Sequence, residues 1–254
     1  MTATPPSPTL TPSPSSAPQD EFIYGWRHQT VTLADGRVTT QKIPLTREAY
    51  LNPQEDDVAP ENPFHARLSQ SLYEMLTRWA KKYPTLMVFS ELLIRWPGRP
   101  NAAPDVCLIP NVRDPGRDWS LVGSFDTATE GTAPSLVVEI VSPEYRKEDR
   151  VDKVLQYEQA GVPEYVIFDR RIQRGKVVEE VLGYRLTGKD YEPILPNEDG
   201  LILCPGAGLW FGLENGRLIV LDAETNEQLL TGDEWAARAA ALEAELKRLR
   251  GESG

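Results

Sequence analysis

The run PSLVVEIVSP, residues 134–143, is the stretch of this chain with the fewest structural alternatives. Leu136, Val137, Val138, Ile140 and Val141 are branched and apolar, and they read as the centre of a sheet buried on both faces. Glu139 stands among them with no other charge in the run. An ionised carboxylate taken out of water persists only when it pairs, neutralises or binds a metal. Its partners must therefore come from elsewhere in the sequence.

The segments around this strand set the topology. NPFHARLSQSLYEMLTRWAKKYP places Leu68, Leu72, Met75, Leu76 and Trp79 at helical spacing and stops at Pro84. LMVFSELLIRW (86–96) and DVCLIP (105–110), joined by a turn-rich PGRPNAAP, predict two strands of a hairpin. After the Glu139 strand, EYRKEDRVDKVLQYEQAG predicts a helix whose packed face carries Val151, Val154, Leu155 and Ala160, with Gly161 at its end. EYVIFD (164–169) is the next strand, so strand, helix, strand forms a crossover between parallel neighbours. VVEEVLGYRLTGKDYEPILP predicts a strand pair turning near Gly188, and GLILCPGAGLWFGLENGRLIVLD supplies short strands that extend the sheet at an edge.

The ends differ in kind. Residues 1–20 hold six prolines among Ser, Thr and Ala, the composition of a disordered tail, and residues 21–60 read as an irregular lead-in to a domain ending near 230. Residues 231–254 open with a capping box, Thr231 with Glu234, and space Trp235, Ala239, Leu242, Leu246 and Leu249 in steps of four and three. A helix packing on its own domain and a homo-oligomer contact both satisfy that pattern.

Charge and cysteine content narrow the function classes. With Lys+Arg 27 against Asp+Glu 38 the net charge is −11, so the molecule as a whole repels polyanions, and nucleic-acid contact requires a local basic patch or bound cations. Arg146, Lys147 and Arg150 are candidates for that patch. Cys107 and Cys204 form neither a disulfide scaffold nor a zinc site by spacing, which suits a reducing cytoplasm. No apolar run approaches the about 20 residues that span a bilayer, and the N-terminus lacks a secretory pattern, so a cytoplasmic protein with no membrane partner is expected.

The partners of Glu139 can be sought through strand geometry. Val137, Glu139 and Val141 share one face, and Asp105, directly after Pro104, begins the neighbouring hairpin strand where the sheet can open to solvent. If the strands are adjacent, the two carboxylates converge on one divalent cation of the hard, oxygen-seeking kind, Mg²⁺ or Mn²⁺. Lys153 on the following helix is the candidate for positive charge near a reacting phosphate, with Gln156 and Tyr157 on its side of the helix as accessory groups. A purely structural ion pair of Glu139 with a neighbouring Arg or Lys is the other reading. Asp149 suits a helix cap, and His65 a surface or capping role at a helix start.

APDVCLIP followed by PSLVVEIVSPEYRKEDRVDKVLQYEQAGVPEYVIFD resembles the Uma-type restriction endonuclease family, within the PD-(D/E)xK nuclease superfamily, over roughly Pro44 to Asp222. The resemblance implies an α/β, restriction-endonuclease-like mixed sheet flanked by helices, here with a C-terminal strand extension and a terminal helix. It also implies metal-dependent hydrolysis of DNA, with Asp105 and Glu139 as the two acids, a backbone carbonyl near Ile140 as a further metal ligand and Glu91 as an accessory acid. The superfamily's lysine would fall at Val141; the Uma-type pattern moves it to the next helix, at Lys153. A catalytically silent nucleic-acid or protein-binding module on the same fold is the alternative.

Overall fold

In the computed structural model, which describes residues 23–59 and 63–250, the expected lead-in is a small sheet. Strands β1 (Trp26–Thr32) and β2 (Val38–Pro44) form an antiparallel hairpin. Helix α1 (Arg47–Tyr50) comes next, capped by the Thr46 side chain, and β3 (Asp57–Val58) returns to pair with β1. The Arg27 guanidinium donates to both Asp57 oxygens, at 2.6 and 2.7 Å, and ties β3 to β1. Every residue of β2 is exposed, so this hairpin lacks the in-and-out alternation by which a strand is read from sequence. The proline-rich tail of residues 1–20 lies outside the described residues.

Beyond it lie α2 (Pro63–Ala80), β4 (Met87–Phe89), β5 (Leu93–Arg95), β6 (Val106–Ile109), β7 (Ser124–Asp126), α3 (Thr127–Glu130), β8 (Leu136–Ile140), α4 (Lys153–Ala160), β9 (Glu164–Gln173), β10 (Lys176–Thr187) and β11 (Asp190–Ile194). Six of the strands build the central mixed sheet in the order β11-β10-β9-β8-β6-β4. The β8–β9 pair is parallel, as the strand, helix, strand pattern requires, and the other neighbours are antiparallel. The segment 86–96 is not one strand. Glu91, in the left-handed region at φ 55°, separates β4 from β5, and β5 leaves the main sheet to pair with β7.

Alternation along the strands divides the core in two. Val106, Leu108, Leu136, Val138, Ile140, Val166 and Phe168 face α2 and the C-terminal strands. Cys107, Ile109, Val137, Val141, Tyr165 and Ile167 face the side that carries Tyr157 of α4. Each fully buried aliphatic side chain contributes about 1.5–3 kcal/mol, and β8 is buried at all five positions, so a one-residue slip would reverse both faces at large cost. Glu139 is thereby fixed on the α4 side.

The last strands, β12 (Ile202–Cys204), β13 (Leu209–Glu214) and β14 (Arg217–Asp222), do not lengthen an edge of the central sheet but form a sheet of their own. Ile202, Cys204, Leu209, Phe211, Leu218 and Val220 join the core cluster of α2, which is why the two sheets stack rather than merge. The chain closes with α5 (Gly232–Leu249), started by the Thr231–Glu234 capping box. No helix among the described residues is long and apolar enough to cross a membrane.

Candidate active site

The ladder between β6 and β8 pairs Val106 with Val138, so continuing it by one step sets Asp105 opposite Glu139 at the sheet's end. Asp105 is clamped there. Its Oδ2 accepts the Ile140 N–H at 2.6 Å and lies 3.0 Å from His65 Nε2, and its main-chain carbonyl accepts the Ser90 hydroxyl at 2.9 Å. His65 is buried rather than superficial, because it lies on the inward stripe of α2 with Leu68, Ser69 and Leu72.

Between β8 and α4, residues Glu148–Asp152 form a π-helical turn that runs directly into α4. A π turn holds more residues per revolution than an α turn, so it rotates the helix attached to its end. Val151 and Leu155, expected on the packed face, are half exposed, whereas Lys153 and Tyr157 turn inward. Lys153 Nζ donates to Glu139 Oε2 at 3.0 Å and forms an ion pair with Asp149 Oδ1 at 2.9 Å. The Tyr157 hydroxyl donates to Glu139 Oε1 at 2.6 Å, and the Tyr165 hydroxyl to the Asp149 carbonyl at 3.0 Å. The Tyr50 ring covers the ammonium, with its centroid 5.5 Å from Nζ. Asp149 is thus not a cap but a second buried acid on the same lysine.

Burial sets the proton affinities, and the charges modify it. Loss of solvent pushes the Glu139 carboxyl up to about 8; Lys153 opposes the rise, and Asp105 and Asp149 add to it. Burial likewise raises Asp149 to about 6, against the pull of Lys153. Burial alone would lower the Lys153 ammonium, but Asp149 and Glu139 outweigh it and hold its proton well above the usual lysine range. Near neutral pH Lys153 is therefore a fixed cation, and Glu139 holds a proton that it can exchange.

These groups line one cavity of about 290 Å³, bounded by Asp105, Glu139, Ile140, Asp149, Lys153 and Gln156. Glu91 also lines it, from the left-handed turn between β4 and β5. Gln156 donates to the Asn101 carbonyl at 2.7 Å and so fixes the loop before β6, while Tyr157 stands behind Glu139 and supports it. Among the described residues no three His, Cys, Asp or Glu side chains gather into a metal-holding group. Two carboxylates, a main-chain carbonyl and waters are nevertheless a sufficient donor set for Mg²⁺. Glu139, its charged form disfavoured by burial and by Asp105, is a carboxyl whose proton a divalent ion would displace, so the residues present fit such an ion.

The expected basic patch is largely committed to the fold. Arg146, Arg150 and Arg171 converge on buried Asp169, and Arg150 and Arg171 also bind Glu180. These bonds fasten the segment after β8 to the β9–β10 ribbon.

A family model described as "Putative restriction endonuclease", Uma2, matches residues 49–215. No curated protein matches the chain. The chain is similar to a crystal structure from Anabaena variabilis ATCC 29413 described as "a putative nuclease belonging to DUF820". Identity is 16%, the TM-score is 0.44, and the match covers 79% of this chain and 87% of that one.

Proposed function

The chain belongs to the Uma2 family, and from that premise we propose that it is a metal-dependent endonuclease that hydrolyses DNA phosphodiester bonds at Asp105, Glu139 and Lys153. The observation that carries this reading is the meeting of three segments distant in sequence, the start of β6, the end of β8 and the start of α4, at one cavity. Asp105, Glu139 and the Ile140 carbonyl would hold Mg²⁺ or Mn²⁺. When bound, such an ion lowers the pKa of a coordinated water and offsets phosphate charge. Lys153, held protonated by Asp149, stabilises negative charge developing on the phosphate. The Ile140 N–H and His65 keep Asp105 in one rotamer, and Tyr157 does the same for Glu139.

A second reading, the catalytically silent binding module, is favoured by one observation: both Glu139 oxygens already accept hydrogen bonds, from Lys153 and Tyr157. Cleavage of plasmid DNA with Mg²⁺ or Mn²⁺ by wild type, Asp105→Ala and Lys153→Ala separates the two. Metal-dependent cleavage lost in both variants supports the nuclease. Activity unchanged by the substitutions would discard the assigned residues, and no cleavage with either metal would select the silent module.

A further inference from the structure

Helix α5 has no buried residue along its 18 positions. It touches α2, and in its first turn Glu234 binds Arg217 of β14. Beyond that turn the side chains stand in solvent, including Trp235, Leu242, Leu246 and Leu249, which are 48, 56, 50 and 69% exposed. Packing on its own domain, one of the two roles the sequence allowed, leaves no residue of this helix buried.

With Trp235, Leu242 and Leu249 at heptad position d and Ala239 and Leu246 at a, the flanking charges fall in register. Arg238 and Glu245 occupy g; Glu243 and Arg250 occupy e. In a parallel, in-register pair each g residue faces the e residue five positions later on the other helix. Arg238 then meets the partner's Glu243, and Glu245 meets the partner's Arg250. Both pairings join opposite charges. An antiparallel pair centred on Leu242 and Leu246 would instead set Glu243 against the partner's Glu243 and Glu245 against the partner's Glu245.

We infer that α5 is a dimerisation element that pairs in parallel with a second copy of the same chain, through the Leu242, Leu246 and Leu249 stripe. A helix of this length spans about 27 Å, little more than two heptads, so the association is weak and concentration-dependent.

Sedimentation velocity of the full chain over roughly 5 to 200 µM tests it. The expected result is a monomer–dimer equilibrium, which Leu246→Lys converts to monomer throughout. Because Leu246 is half exposed, circular dichroism of that variant stays unchanged below 230 nm apart from a small loss in α5. Arg238→Glu weakens association about tenfold, and adding Glu243→Arg restores it. Both native cysteines are buried, so Leu249→Cys introduces an accessible thiol that oxidises to a disulfide-linked dimer if the helices run parallel. A monomer over the whole range, a dimer that survives Leu246→Lys, or a Leu249→Cys dimer that cannot be cross-linked would each overturn the inference.

Discussion

Lys153 Nζ lies 3.0 Å from Glu139 Oε2, with 12% of the lysine side chain and 1% of the glutamate side chain exposed. Neither group has water to fall back on. Removing Lys153 leaves Glu139 and Asp149 buried without their cation, which costs about 3–5 kcal/mol, whereas removing Glu139 leaves Lys153 paired with Asp149. By urea denaturation Lys153→Met is expected to fall in that range and Glu139→Leu below it. The double variant, which still buries Asp149 without its cation, is expected to recover only part of the Lys153→Met loss, and additive losses would show that the contact carries no coupling.

The acidity of the site predicts a pH profile. Glu139 rises from 4.5 to about 8 and Asp149 from 3.8 to about 6 on folding. A carboxyl with a raised folded pKa keeps protons that the unfolded chain releases. Its contribution is complete below the unfolded value and is lost as pH climbs toward the folded one. Thermal melts of the metal-free protein should therefore show a downward contribution between about pH 5 and 8, which Glu139→Gln flattens. A profile identical in wild type and Glu139→Gln would refute this assignment.

Metal binding should mirror that profile. Loading a divalent ion on Asp105 and Glu139 displaces the Glu139 proton, so affinity for Mn²⁺ increases with pH up to about 8. Isothermal titration in buffers of different ionisation enthalpy should record proton release. Asp105→Asn, which keeps an oxygen for the Ile140 N–H, should weaken binding at least tenfold while leaving the melting temperature nearly unchanged.

Far from the cavity, Asp222 joins α2 to the end of β14. Lys82 and the Trp79 indole, which donates at 2.7 Å, hold its carboxyl well below the ordinary range, and the Glu224 and Thr225 N–H groups donate to its other oxygen. The sign is opposite to that of Glu139: the contribution is present above the unfolded value of 3.8 and disappears as pH falls below it. Asp222→Ala removes the shared acceptor of these part-buried donors and should cost about 1.5–3 kcal/mol at pH 7, with the difference from wild type shrinking in acid.

Legibility in the sequence tracks burial. Glu139 stands out because a charge in an apolar run needs an explanation, and the faces of β6 and β8 are readable because two-residue alternation survives tertiary packing. On α4 the spacing is only half right: Val154 and Ala160 pack on the core, whereas Val151 and Leu155 are half exposed, because the π turn before the helix shifts a phase that regular α-helical periodicity does not register. His65 was within reach: with Leu68, Ser69 and Leu72 it occupies positions i, i+3, i+4 and i+7 of one stripe, so its burial is implied by the same spacing that locates α2. The β1–β2 hairpin has no such signal, since its register rests on main-chain pairing with a strand, β2, whose residues are all exposed.

The ammonium of Lys153 also has a consequence for the order of events in the cell. It lies between Glu139 and Asp149 and supplies the positive charge that these two acids need in order to be enclosed. The polypeptide can therefore finish folding on its own lysine, and under the proposed function loading with an inorganic ion would be a later, reversible step rather than a condition for acquiring shape.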